Sequence, residues 1–127
     1  MKTKIIIDKK LLNNEIKEKE LNFFKTGADI YYLSTIDGNE ENTLYIKESS
    51  LVNDISTFMI KLSLMTKTRN IDNILFISDN KGFLSLLGKL NFKTLLIYNP
   101  KYDCVEYDPT YEISKGKQLI KVLGKNN

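Results

Sequence analysis

Ile74-Leu75-Phe76-Ile77-Ser78-Asp79-Asn80-Lys81-Gly82-Phe83 is where the fold is read most directly. Four apolar residues run without alternation and stop at Ser-Asp-Asn. Alternation would mark a strand with one wet face; an unbroken run of strand length marks a parallel strand covered on both faces. Asn80 or Asp79 then caps a helix to about Leu90, with Phe83, Leu86, Leu87 and Leu90 as its apolar stripe.

Toward the N-terminus the same alternation of strand and helix continues. Residues from about Asn53 to Met65 predict a helix, with Ile55, Phe58, Met59, Leu62 and Met65 on one face and Lys61 exposed. Thr43–Ile46 predicts a short strand, Ile36-Asp37-Gly38-Asn39 a turn, and Asp29–Leu33 a second strand. Asn13 or Asn14 caps a helix through about Lys25, with Glu15, Glu18 and Glu20 near its positive end. Lys4–Ile7 reads as a buried strand that ends in Asp8. Toward the C-terminus, Thr94–Tyr98 is a strand closed by Asn99-Pro100, Asp103–Tyr107 a further short strand, and Ser114–Leu123 a closing helix. The pattern predicts one domain over residues 1–127, a three-layer α/β/α sandwich with a mainly parallel sheet.

The composition narrows the chemistry. The chain has 127 residues, 42% apolar and 28% charged, an ordinary globular balance that excludes wholesale disorder. It contains no His, which removes His-based triads, His general bases and His metal ligands. Cys104 is the only cysteine, so a disulfide framework and a structural zinc site are excluded; its simplest reading is a small buried hydrophobe. Carboxylates, lysines, hydroxyls and amides remain. A metal would therefore be a hard one on oxygen ligands, Mg²⁺ or Mn²⁺. No apolar run approaches the roughly 18 residues of a membrane helix. The N-terminus has an apolar stretch of three residues followed by an acid, unlike a signal peptide. A reducing cytoplasm is the expected compartment, with no membrane partner.

Net charge is +3, unevenly spread: residues 1–60 carry −2 and residues 61–127 carry +5. A basic second half suits a polyanion such as RNA; a Lys-rich solvated surface is the ordinary alternative. Thr66-Lys67-Thr68-Arg69-Asn70 is a basic loop, but it precedes the central strand and so belongs at that strand's amino end. Tyr31, Tyr32, Tyr98, Tyr102, Tyr107 and Tyr111 offer stacking surfaces, although tyrosines in a small domain mostly pack.

In parallel α/β sheets the ligand crevice lies beyond the carboxyl ends of the strands. Asp8 and Asp79 each follow a strand directly, so both belong at that edge. Two carboxylates brought together repel, and a divalent cation relieves the repulsion. Asp54 joins them if its helix starts over the same edge. Asp8, Asp54 and Asp79 are thus the candidate metal ligands, with Ser78 and Asn80 orienting a metal-bound water and Lys81 contacting phosphate. Each acid also has the plain reading of a helix cap. The Ser78–Phe83 junction lacks Gly-x-Gly-x-x-Gly or Walker spacing.

Residues Val52 to Asn99 resemble the central part of the NYN group of PIN-like ribonuclease domains. Val52-Asn53-Asp54 opens the helix, Ile74–Ser78 is the strand, and Asp79-Asn80-Lys81-Gly82-Phe83 occupies the place of a Ser-Gly-Asp-x-Asp-Phe-type motif. Asp8 falls where that family has its first metal-binding Asp. The resemblance implies a Mg²⁺- or Mn²⁺-dependent ribonuclease with Asp8, Asp54 and Asp79 as ligands and Asn80 in the catalytic set. Aligned without a gap, however, the motif's two acids become Asn80 and Gly82, and the family's further acid falls near Lys61 or Ser63. The alternative it implies is a catalytically inactive PIN-like module that binds RNA, a protein partner or a second copy. Ile77-Ser78-Asp79-Asn80-Lys81 is also similar to the fourth motif of haloacid dehalogenase-like phosphatases. That likeness implies Asp8 as nucleophile, Ser34 or Thr35 in the second motif and Lys47 or Lys61 in the third. Asp8-Lys9-Lys10 lacks the second Asp that this family uses as general acid.

Overall fold

A computed structural model of the chain describes residues 3–12, 27–97 and 111–113. Its six-stranded sheet comprises β1 (Thr3–Asp8), β2 (Ala28–Ser34), β3 (Thr43–Tyr45), β4 (Ile74–Ser78), β5 (Lys93–Ile97) and β6 (Tyr111–Ile113). The spatial order is β3-β2-β1-β4-β5-β6 and every pairing is parallel. The helices are α1 (Glu48–Asn53), α2 (Ile55–Thr66) and α3 (Lys81–Lys89). Short 3-10 turns follow β1 and precede β4.

The continuous apolar runs behave as covered strands should. All five residues of β4 are buried, between β1 and β5. Ile6 lies opposite Phe76 across β1 and β4, and both join one core with Phe58 and Leu62 of α2 and Phe83, Leu84 and Leu87 of α3. The pleat turns Ile5, Ile7, Leu75 and Ile77 to the opposite face, where they too are buried. Both faces of the sheet centre are therefore covered, as the α/β reading requires. Phe58, Phe76 and Phe92 form an aromatic knot within the core, with ring centroids 5.2–6.4 Å apart and Phe92 edge-on to the other two.

Several expectations need correction. The helix expected over about 53–65 is α2, Ile55–Thr66, and a separate short helix, α1, which was not expected, precedes it. Asp54 ends α1 and its side chain accepts the Thr57 N–H that opens α2. That cap fixes the rotation of α2, burying Phe58 and Leu62 while Met59 stays 37% exposed and Ile55 40%. Met59 therefore does not face the sheet. On α3, Leu84 is fully buried and Leu86 and Leu90 are only partly so. The strand at Tyr111–Ile113 was not anticipated. The expected helices at 13–25 and 114–123 and the expected strand at 103–107 lie outside the described residues. Among the described residues, no helix is long and apolar enough to cross a membrane.

Truncating Phe58 to Ala should cost about 3–5 kcal/mol, since a ring is removed from a closed aromatic knot. Met59→Ala, half in solvent, should cost below about 1 kcal/mol. Denaturant unfolding of the two variants checks the rotation of α2; equal losses would contradict it.

Candidate functional site

The strand order places a switch point at the centre of the sheet. From β1 the chain builds outward through β2 and β3, then returns to β4 on the other side of β1. The loops leaving β1 and β4 run in different directions and open a crevice beyond their carboxyl ends. Asp8 and Ser78, the last residues of those two strands, meet there.

The Ser78 hydroxyl donates to Asp8 Oδ2 at 2.9 Å, in a buried contact. Ser78 Oγ also accepts the Asn80 N–H at 3.1 Å, so the hydroxyl both donates and accepts at this junction. The other Asp8 oxygen, Oδ1, accepts the Lys10 N–H at 3.2 Å and so caps the 3-10 turn over Lys9–Leu11. Two donors thus fix the plane of one buried carboxylate. The turn folds the Lys10 side chain back over it. Lys10 Nζ lies 3.8 Å from Asp8 Oδ2 and 3.3 Å from Asp79 Oδ1. One ammonium therefore brings the two strand-end acids together, Asp8 nearly buried and Asp79 partly exposed.

Asn80 is committed to the fold. Its Oδ1 accepts the Phe83 N–H at 3.1 Å and caps α3, while its amide donates to Glu48 Oε1 at 2.9 Å. Glu48 opens α1 and packs beside the glycine that starts α3's first turn: a Cβ at Gly82 would sit 3.8 Å from both Glu48 carboxylate oxygens. Lys81 is the half-buried first residue of α3. Asp54 is exposed and spends both oxygens on Thr57, accepting its N–H at 3.1 Å and its hydroxyl at 2.6 Å. The Thr57 hydroxyl chiefly, and then its N–H, hold the Asp54 carboxyl below its ordinary pKa.

Of the residues the second resemblance singles out, Ser34 ends β2 beside β1, with its hydroxyl turned onto Ile36 of its own loop. Thr35 lies in the exposed bend after it. Lys47 immediately precedes Glu48, whereas Lys61 lies in an open groove of about 700 Å³ beside Tyr45 and Leu64. Lys10 and Glu48 were missed from sequence. Lys10's only signal is its place two residues after Asp8, and Glu48 has none beyond opening a helix.

A divalent ion needs several open oxygens around it. Here Ser78 is engaged with Asp8 and the Asn80 N–H, Asn80 with its cap and Glu48, Asp54 with Thr57, and an ammonium stands between Asp8 and Asp79. Among the described residues no group of three or more acidic, His or Cys side chains is gathered. As arranged, these donors do not fit a metal centre.

No family model matches the chain, so the NYN-type resemblance finds no support there. No curated protein matches either. Among the solved structures similar to this chain is one described as a crystal structure analysis of a dehalogenase, at a TM-score of 0.58 and 17% identity. The match covers 83% of this chain and 53% of that one, so the chain spans about half of its length. The likeness shows the fold: a parallel α/β sheet.

Burial is the main influence on Asp8 and pushes its pKa above the ordinary carboxylate value, against the hydrogen bond from Ser78, the Lys10 charge and the Lys10 N–H; the nearby Asp79 adds to the rise. The folded state thus holds the Asp8 proton more tightly than the unfolded chain. The stability this contributes is fully present below the unfolded pKa and is lost as pH rises through the folded one. Asp8→Asn removes that loss. Its melting temperature relative to wild type should be more favourable at about pH 7 than at about pH 3. A difference independent of pH would contradict the assignment.

Proposed function

We propose that the chain is a haloacid dehalogenase-like hydrolase in which the Asp8 carboxylate is the nucleophile. One observation carries the reading: a single buried carboxylate, oriented by Ser78 and the Lys10 N–H, ends the central strand at the switch point. A nucleophile needs one fixed oxygen and room for a substrate, whereas a metal nuclease needs several free acids. The likeness to a dehalogenase fold supports the same choice at the level of architecture.

In this reading an Asp8 oxygen attacks a carbon or phosphorus that bears a leaving group. The bond to that group breaks with its electron pair, and halide, or an alcohol after taking a proton, departs. A covalent ester or acyl phosphate is left on Asp8, and water then cleaves it to free the product and restore the carboxylate. Ser78 acts as a positioning residue. Lys10 stands two residues after Asp8, where the phosphatase resemblance asks for an acid, and supplies a cation there instead.

The second reading is a PIN-like ribonuclease on RNA, with Asp8, Asp54 and Asp79 around Mg²⁺ or Mn²⁺, or the same fold as an inactive module binding RNA or protein. The facing of Asp8 and Asp79 on one ammonium favours it. It requires Asp54 to leave Thr57 and the metal to displace Lys10.

The full chain, assayed on p-nitrophenyl phosphate and on 2-chloropropionate, should turn over one of them. Asp8→Asn should lower that rate by at least about 10³-fold, and Ser78→Ala by a smaller factor. Activity that survives Asp8→Asn contradicts the nucleophile. Cleavage of single-stranded RNA with Mn²⁺ and neither of the other activities would favour the second reading.

A further inference from the structure

We propose that the Lys10 ammonium is the built-in cation of the Asp8–Asp79 edge, standing where a divalent ion would otherwise sit, so that this edge is assembled without metal. The inference concerns the site's charge and is independent of whether Asp8 attacks a substrate.

Three observations carry it. The ammonium is within ion-pair distance of both strand-end carboxylates, 3.8 Å from Asp8 and 3.3 Å from Asp79. That position is built into the backbone, because the Lys10 N–H is itself bound to Asp8 Oδ1, which caps the 3-10 turn that carries Lys10. The neutral oxygens that would complete a hydration-poor metal shell are already in use: Ser78 Oγ serves Asp8 and the Asn80 N–H, and Asn80 Oδ1 serves the Phe83 N–H. Turning Asn80 Oδ1 to a metal would uncap α3, and turning Ser78 Oγ would take a donor from Asp8 or an acceptor from the Asn80 N–H.

The repulsion between two converging carboxylates needs a positive charge to relieve it. A lysine two residues after the first acid does this within the chain. Its cost to a metal is twofold. A divalent ion entering the same space must displace an ammonium, and that ammonium, tethered two residues from Asp8, stays within a Debye length of about 8 Å and repels the ion from wherever it moves. In water-like surroundings at such separations the repulsion between charges of two and one lowers affinity by about tenfold. The Lys10 side chain is 59% exposed, so truncating it leaves no buried cavity and the fold should be kept.

The test is Mn²⁺ binding to the full chain, followed by calorimetry and by water-proton relaxation. Wild type should bind Mn²⁺ only weakly, with Kd in the millimolar range or above. Lys10→Ala should tighten binding by at least about tenfold, and Lys10→Asp, which adds a third carboxylate, further still. Adding Asp8→Asn to Lys10→Ala should abolish the gain, which locates the ion at this edge. Micromolar binding by wild type, or an affinity unchanged in Lys10→Ala, would overturn the proposal. Neither result depends on turnover of any organic substrate, so the failure of the proposed reaction and the failure of this inference are distinguishable.

Discussion

Ile7 of β1 lies opposite Ile77 of β4, and from that register the whole edge follows. One residue on, Asp8 and Ser78 leave the sheet side by side on the same face, although 70 residues separate them in the chain. The pairing that places them is held by the burial of Ile6 against Phe76 and of the aromatic knot behind them. A one-residue slip of β4 would turn Ser78 to the other face and leave a buried carboxylate without its donor. Core packing and site geometry are therefore one constraint.

The cost of that arrangement falls on Asp8. Burial opposes its charge, and the chain answers with three stabilising contacts: a hydroxyl, a main-chain N–H and an ammonium. Lys10 supplies two of the three, one from its backbone and one from its side chain. Burial still outweighs these contacts and leaves the Asp8 pKa raised, and a carboxylate so perturbed at a crevice is the observation on which the proposed function rests. Asp54 is the contrast. It is exposed, satisfied within its own first turn, and its role is to divide α1 from α2 and set the rotation of α2.

Much of this was legible in the sequence. Continuous apolar runs identify β1, β4 and β5, and parallel order alone brings Asp8 and Ser78-Asp79 to one edge. The sequence limits the cap of α3 to Asn80 or Asp79, and the Asn80 contact to the Phe83 N–H decides between them. What could not be read is set by contacts distant in sequence or by local rotation. Glu48 reaches Asn80 across 32 residues, and nothing in Lys47-Glu48-Ser49-Ser50 signals it. Met59 and Phe58 are equally apolar neighbours; only the Asp54 cap decides which of them faces the sheet. Lys10 reads as a surface lysine until the 3-10 turn folds it over Asp8. The sequence shows Asp8, Asp54 and Asp79 as acids at element ends, but not the Thr57 contacts of Asp54 or the ammonium beside Asp8 and Asp79.

The most direct measurement is a ¹³C NMR titration of the Asp8 side-chain carboxyl in wild type and in Ser78→Ala. Asp8 should titrate above the ordinary value of 3.8 in wild type, because burial outweighs its partners, and higher again once the Ser78 hydroxyl is gone. An Asp8 that titrates at the ordinary value in wild type and does not move in Ser78→Ala would contradict the buried, Ser78-held carboxylate on which the account rests.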